Sequence, residues 1–149
     1  MKRITKFNVR LIKESESEYN LDNERVTNPA TAVELFNKVL DLDCRMQEVF
    51  AMITLDIKNQ VTGIFEVTTG GLSSSIAHPR EVFQRAILQG AASIIIAHNH
   101  PSGVPEPSAD DIKITKKLVD AGDIIGIEVL DHVVIGDNVH TSMREKGYF

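Results

Sequence analysis

Two histidines separated by one residue, His98 and His100, stand at the end of an apolar run and lead into a proline-rich loop. Because an extended backbone has a side-chain period of two, both imidazoles point to the same side of the chain. Pro101 keeps His100 out of the helical region, and Pro105 and Pro107 stiffen the loop that follows. We therefore expect ring nitrogens of both histidines to converge on one point at the end of a strand.

A serine and a carboxylate follow where the next helix is predicted to begin. Ser108 suits the helix N-cap, so Asp111 falls in the first turn, within reach of the two imidazoles. Two nitrogens, one oxygen and a vacant fourth position describe a catalytic zinc site, since structural zinc sites usually have four ligands and prefer thiolates. His98, His100 and Asp111 are thus candidate metal ligands, and non-haem iron(II) is the alternative to zinc.

A structural interpretation of the same residues stays open. Ser108 and Asp111 match an acidic variant of the capping box, in which the carboxylate only satisfies backbone donors. A His-x-His pair can likewise be a hydrogen-bonded surface feature. The succession of a strand end, a stiff loop and a helix start favours the metal site.

The sequence around these residues resembles that of a known family. His98-x-His100-Pro followed by Ser108-x-x-Asp111 resembles the JAMM motif of the JAB/MPN metalloprotease superfamily, and the fuller run His-Asn-His-Pro-Ser-Gly resembles its bacterial RadC branch. Further motifs on both sides extend the resemblance to about residues 28 to 149. These motifs are Gly70-Gly71-Leu72-Ser73, His78-Pro79-Arg80-Glu81 and Asp131-His132-Val133-Val134-Ile135-Gly136. The resemblance implies a zinc hydrolase with the cytidine-deaminase-like JAB/MPN fold. In that family pattern the two histidines and the aspartate bind Zn²⁺, and the serine steadies the reacting group.

A hydrolase also needs a base, because a carboxylate must take the proton from the zinc-bound water and return it to the leaving group. The resemblance implies a glutamate from an early strand well upstream of the first histidine, and Glu48 matches that position. Glu66, inside the next predicted strand, and Glu81, in the first turn of a helix, are competitors. The small-residue wording that follows this glutamate in eukaryotic relatives is absent here.

Charge divides the chain into two parts. Five of the 16 basic residues precede the first acidic residue, Glu14, which leaves 11 basic and 21 acidic residues in the rest: Lys2, Arg3, Lys6, Arg10 and Lys13. We predict a basic arm and polar loop over residues 1–27 and a JAB/MPN domain over residues 28–149. The partial alternation of apolar and charged residues in the arm favours an edge strand over a nucleic-acid contact. An acidic domain is a poor sequence-independent DNA binder.

The apolar periodicity predicts an α/β domain with a mixed sheet and flanking helices. Helices are expected at residues 29–42, 79–90 and 112–121, and strands at 48–56, 61–68, 93–99, 124–135 and 139–141, with a hairpin at Lys58-Asn59-Gln60. Longer proteins of the RadC branch carry a helical region resembling a helix-hairpin-helix module ahead of this domain. The short stretch before residue 28 leads us to expect that this chain lacks it.

Composition predicts one core in a cytoplasmic protein. The chain has 149 residues, of which 42% are hydrophobic, and no run has the length of a membrane span or the form of a signal peptide. The lone Cys44 is expected at a helix-to-strand junction rather than as an activated thiol. The oligomeric state is left open.

Other polar residues keep two interpretations each. His78 and Arg80 shape a turn or bind a substrate anion, and His132 is either a core histidine or a residue that orients a metal ligand. Ser102 and Gly103 form a turn or line the cleft. The sequence as a whole favours a zinc metallopeptidase acting on a peptide or isopeptide. The alternatives are a DNA-associated RadC-like scaffold and a nucleobase enzyme, although deaminases prefer cysteine ligands and a His-x-Glu motif.

Overall fold

A computed structural model describes residues 1–20, 25–70 and 77–149, and within these ranges five strands form one mixed sheet. The strands are β1 (Glu48–Leu55), β2 (Val61–Gly70), β3 (Ser93–Asn99), β4 (Glu128–Ile135) and β5 (His140–Ser142), arranged in the order β2-β1-β3-β4-β5. Neighbouring strands are antiparallel except β3 and β4, which are parallel. This architecture confirms the predicted mixed α/β class.

In the described part of the chain, three α-helices flank the sheet, α1 (Pro29–Leu40), α2 (Pro79–Gln89) and α3 (Ala109–Ile125), and a short 3₁₀ helix covers Leu42–Cys44. Asn28 caps α1 by accepting a hydrogen bond from the backbone N–H of Thr31, and a proline follows at the first helical position. The parallel pairing of β3 and β4 requires a crossover, and α3 provides it. The start of α3 therefore lies close to the end of β3.

Alternate residues of the strands divide the core between two faces of the sheet. The α1 face is covered by α1 and packs Ala51, Ile53, Ile95, Ala97 and Val133 around Phe36. The α2/α3 face is covered by the other two helices and includes Phe50, Met52, Ile94 and Ile96. Both faces are built mainly of buried aliphatic side chains, because the period of two along a strand sends neighbours to opposite sides.

The hairpin predicted at residues 58–60 is confirmed. β1 and β2 pair in antiparallel register, and the Asp56 carboxylate accepts hydrogen bonds from the backbone N–H groups of Lys58 and Gln60. Asn59 takes a left-handed conformation with φ of 61°, which asparagine tolerates better than most residues. The turn thereby fixes the pairing of β1 with β2, in which Glu48 lies opposite Gly70 at the end far from the turn.

The predicted edge strand in the N-terminal arm is wrong. Residues 1–20 contain no strand, and Ile4 and Phe7 are exposed. An alternation of apolar and charged residues does not form a strand unless another strand pairs with it. Beside the β1–β2 turn, Arg25 forms an isolated antiparallel bridge with Gln60. The division at residue 27 stays a prediction.

Two boundaries also differ from the prediction. The predicted N-cap at Ser108 is confirmed, so α3 begins at Ala109, ahead of the apolar stretch of residues 112–121. Gly126, with φ of 85°, ends α3 later than expected, so β4 begins only at Glu128. Parts of the polar loop and of the Gly70-Gly71-Leu72-Ser73 wording fall on residues 21–24 and 71–76, outside the described residues. Within the described ranges, no helix combines the length and apolar character needed to cross a membrane.

Candidate metal centre

The candidate centre lies where the end of β3 meets the first turn of α3. His98 is the penultimate residue of β3 and is buried, with 1% of its surface exposed, while His100 follows the strand and is half-buried. Asp111 is the third residue of α3. One strand–loop–helix segment therefore supplies all three predicted ligands.

The donor atoms of these side chains converge closely. His98 Nε2 lies 3.0 Å from His100 Nε2, and each of these nitrogens lies 3.2 Å from Asp111 Oδ2. Glu48 joins them from the start of β1, with Oε1 3.9 Å from His98 Nε2. One donor atom from each of the four residues lies within 4.8 Å of the others, an arrangement that can hold a metal ion. The structure thus brings together four of the five predicted site residues, whose chemical roles stay predictions.

The loop after β3 fixes the orientation of the His100 ring. His100 Nδ1 lies 2.8 Å from the carbonyl oxygen of Val104, and since a carbonyl only accepts, Nδ1 carries the proton. The backbone N–H of His100 donates to the Ile135 carbonyl, which ties the loop to the end of β4. A Cβ at Gly136 would lie 2.4 Å from the Gly103 oxygen, so only glycine permits this approach. The Nε2 atom of His100 is therefore the ring nitrogen that faces Asp111.

Asp111 is placed both to cap α3 and to act as a candidate metal ligand. Its Oδ2 accepts a hydrogen bond of 2.8 Å from the Ser108 backbone N–H, and its own N–H donates to Ser108 Oγ at 3.1 Å, completing a capping box. The same Oδ2 faces both imidazoles. The cap thus orients the carboxylate, while the role of the exposed Ser108 hydroxyl towards a substrate stays a prediction.

The charges in the centre favour an ionised carboxylate. Burial opposes ionisation of Asp111, but its close contacts with His100 and His98 outweigh burial and hold the pKa of this carboxyl well below its usual range. The hydrogen bond to Asp111 raises the pKa of His100, against the opposing effect of partial burial. Asp111 is therefore an anionic donor at neutral pH.

Glu48 owes its position to Asn99, which points to the opposite side of β3 from His98. Asn99 Oδ1 accepts a hydrogen bond of 2.7 Å from the Val49 backbone N–H, and its Nδ2 donates to the Gln47 carbonyl at 3.0 Å. The two bonds clamp the backbone on either side of Glu48. Sequence analysis missed this role of Asn99, because nothing local shows that β1 lies beside β3.

The competing glutamates lie outside the group of four. Glu66 Oε1 pairs with Arg45 Nη1 at 2.6 Å, and Glu81 lies in the first turn of α2. His78 caps α2, where its Nδ1 accepts a bond of 3.3 Å from the Arg80 N–H, which fits the structural interpretation of that motif. Among the three glutamates weighed as base, Glu48 alone contacts the histidine pair.

A buried polar chain leads away from His98 on the α2/α3 face. His132 Nε2 lies 2.7 Å from His98 Nδ1, and His132 Nδ1 lies 2.6 Å from Thr115 Oγ1. Thr115 donates in turn to the Asp111 carbonyl at 2.6 Å. Burial lowers the pKa of His132 well below its ordinary value, and His98 adds to this effect, so the ring is neutral. Sequence analysis left His132 open and missed Thr115.

A cleft of about 440 Å³ opens beside His100. Its walls are the 3₁₀ helix and the residues that follow it, the loop after His100, and the end of β4. Its lining residues include Arg45, Ser102 and Gly103. Cys44, which also lines it, is exposed at the predicted helix-to-strand junction, and a hydrogen bond with Asp43 raises the pKa of its thiol. Of the four residues whose donor atoms converge, His100 alone lines this cleft.

Comparisons with known proteins agree with this geometry. The family model described as RadC-like JAB domain matches residues 26–148. A UPF0758 protein of Caldanaerobacter subterraneus subsp. tengcongensis is 46% identical over 128 residues, which cover 86% of this chain and 54% of that protein. A UPF0758 protein of Clostridium perfringens is 50% identical over 128 residues, covering 85% and 55%. One from Moorella thermoacetica is 57% identical over 100 residues, covering 67% and 44%. The chain spans about half the length of the curated relatives it matches.

Proposed function

The chain belongs to the RadC-like JAB domain family, and on this basis we propose that it is a zinc-dependent hydrolase of the metallopeptidase type, acting on a peptide or isopeptide bond. The observation that carries the proposal is the convergence of His98 Nε2, His100 Nε2 and Asp111 Oδ2 within 3.2 Å of one another. Glu48 at the edge of this triangle supplies the group that a hydrolase needs in addition to its ligands.

The donor set fits zinc. A tetrahedral ion with bonds of about 2.0 to 2.1 Å separates its ligands by about 3.3 to 3.4 Å, close to the observed 3.0 and 3.2 Å. Two imidazoles and one carboxylate leave one position free, as in catalytic rather than structural sites. Nitrogen and oxygen donors are also compatible with iron(II), which is the competing metal.

The side chains around the centre divide the work of hydrolysis. Zinc held there would supply a Lewis acid for a substrate carbonyl and would make a water molecule more acidic. Glu48 Oε1 would accept a proton from the attacking water and return it to the leaving amine. The Ser108 hydroxyl, whose oxygen already accepts from the Asp111 N–H, donates its proton to the oxygen of the former carbonyl. His98, His100 and Asp111 would hold the ion.

The test combines metal content with hydrolysis. The purified protein is expected to contain about one zinc per chain by elemental analysis, and His100→Ala to lose most of it. Turnover of a peptide and isopeptide substrate panel should vanish with a chelator and return with zinc. His140→Ala, which removes an exposed histidine in β5, is the matched control and should change neither quantity. Full metal content in His100→Ala, or hydrolysis indifferent to chelation, contradicts the proposal.

The second candidate is a nucleic-acid-associated scaffold. The observation in its favour is that the basic arm, residues 1–13, is exposed along its length and forms no strand in the described structure. The acidic balance of the remaining chain argues against it, because sequence-independent binding depends on neutralising phosphates with lysine and arginine. We therefore rank a peptide or isopeptide above nucleic acid as the partner.

A further inference from the structure

The buried chain of Thr115, His132 and His98 has a fixed direction of hydrogen bonding. Thr115 has one hydroxyl proton, and the Asp111 carbonyl 2.6 Å away only accepts, so the hydroxyl donates there. Its oxygen must then accept from His132 Nδ1, 2.6 Å away. His132 thus carries its proton on Nδ1 and has a lone pair on Nε2.

The same reasoning continues to His98. His132 Nε2 has no proton to give, so the 2.7 Å contact is a bond donated by His98 Nδ1. The proton of a neutral His98 then resides on Nδ1, and its Nε2 lone pair points at His100 and Asp111. Both histidines are almost completely buried, and Phe50 packs against both rings, so water does not replace these partners.

We propose that Thr115 and His132 are positioning residues that set the tautomer of His98 and so prepare its Nε2 to bind metal. The inference rests on the proposed metal centre and extends it to two residues that do not touch the ion. The carbonyl of the ligand Asp111 anchors the chain, so the helix that provides one ligand also sets the protonation of another.

Removing the hydroxyl predicts a specific defect. Without Thr115 Oγ1, the Nδ1–H of His132 has no acceptor, and the ring gains by moving its proton to Nε2. That proton then donates to His98 Nδ1, and His98 must carry its own proton on Nε2, where a metal ion has to displace it. Loss of such an outer partner typically weakens metal binding by about 10- to 100-fold.

The experiment reads the tautomer and the metal affinity separately. In the metal-free wild-type protein, long-range ¹H–¹⁵N NMR of the histidine rings is expected to show His98 and His132 protonated on Nδ1. Thr115→Val should move the His98 proton to Nε2 and weaken zinc binding, measured by competition with a chromophoric chelator, by about 10- to 100-fold. Thr115→Ser, which restores the hydroxyl, should return both quantities to wild-type values.

Thr54→Val is the matched control. Thr54 is also a fully buried threonine with a hydrogen-bonded hydroxyl. It lies near the end of β1 that is far from Glu48, and its hydroxyl contacts Gly63 and Thr62. It should leave the tautomer and the zinc affinity unchanged. If Thr115→Val does not fold, the spectrum of the wild-type protein still decides.

Two results would overturn the inference. One is a wild-type spectrum with His98 protonated on Nε2, and the other is unaltered zinc affinity in a folded Thr115→Val. Failure of the proposed function looks different, because the wild-type protein would then show the Nδ1 tautomers but bind no zinc.

Discussion

The two faces of the sheet use the same strands for different purposes. On the α1 face, Phe36 and its neighbours form an apolar cluster between helix and sheet. On the α2/α3 face, the apolar cluster of Phe50, Met52 and Ile96 adjoins a polar chain that runs from His132 to the converging donors. The alternation of β3 thus places the candidate ligand His98 on one face and the apolar residues Ile95 and Ala97 on the other, although they are neighbours in sequence.

This difference teaches that a buried polar cluster is tolerated when each of its members has a partner. His98 and His132 are as buried as the aliphatic residues of the α1 face, yet each ring nitrogen of both lies within hydrogen-bond distance of another polar atom. Substitutions on the α1 face should therefore lower stability and leave the centre intact, while substitution of Glu48 at the centre should reduce the proposed activity and leave stability near the wild type.

The largest effect is expected at Glu48. Glu48→Gln removes the proton acceptor without removing a ligand, so turnover should fall by about 10²- to 10⁴-fold while zinc content and the urea midpoint stay near the wild type. Glu66→Gln is the matched control, because Glu66 pairs with Arg45 away from the histidines. Loss of turnover in the control rather than in Glu48→Gln would move the base to β2.

On the α1 face, Phe36→Ala is expected to lower the free energy of unfolding by about 3 to 5 kcal/mol, because it leaves a cavity in place of a fully buried ring. Urea denaturation measures the loss. The folded fraction should still bind zinc with wild-type affinity. A tenfold weaker affinity would show that the two faces are coupled through the strands.

Substitution of Asn99 should affect both stability and the candidate centre, since the Asn99 side chain holds the backbone that carries Glu48. Asn99→Ala leaves the buried Val49 N–H without its partner, and we expect a loss of about 1 to 3 kcal/mol of stability. Zinc content should persist while turnover falls, because the ligands stay in place and the base does not. Parallel loss of zinc would instead assign Asn99 to the metal centre itself.

The metal-free centre should also make stability depend on pH. The folded pKa of His100 is raised above its ordinary value of 6.5 by the hydrogen bond to Asp111. The stability that this protonation contributes is complete below 6.5 and is lost as pH rises through the folded pKa. Chelated protein should therefore unfold more easily as pH rises from 6.5 through that pKa. His100→Gln should remove this component of the slope, whereas His140→Gln should keep it.

The smallest effect is expected from the basic arm, which belongs to neither face. Deleting residues 1–13 should leave turnover, zinc content and the urea midpoint unchanged. If the arm instead bound duplex DNA through its five cations, the log of the affinity would fall with the log of the salt concentration at a slope of about −4 to −5. Such binding, lost on deletion and indifferent to His98→Ala, would favour the scaffold function.

The residues that local pattern places correctly share one property. His98, His100 and Asp111 lie on one strand–loop–helix segment, and the period of two and the N-cap rule govern their orientation. Glu48 required the family resemblance, since it is far away in sequence. His132, Thr115 and Asn99 act through contacts set by the strand order, with β3 between β1 and β4, which local pattern does not specify. The arm shows the converse error, because alternation predicts a strand there but does not specify a partner strand.

The placement of all three donors on one short segment has a consequence for the order of assembly during folding. Closing the short loop between β3 and α3 costs less chain entropy than bringing β1 onto β3, which joins Glu48 to the site from across an intervening hairpin and helix. Under the proposed function, a folding chain would therefore be able to bind an ion once this segment closes, before β1 joins β3. Hydrolysis would become possible only when β1 docks, so a partly folded chain would bind metal without being able to cleave other chains.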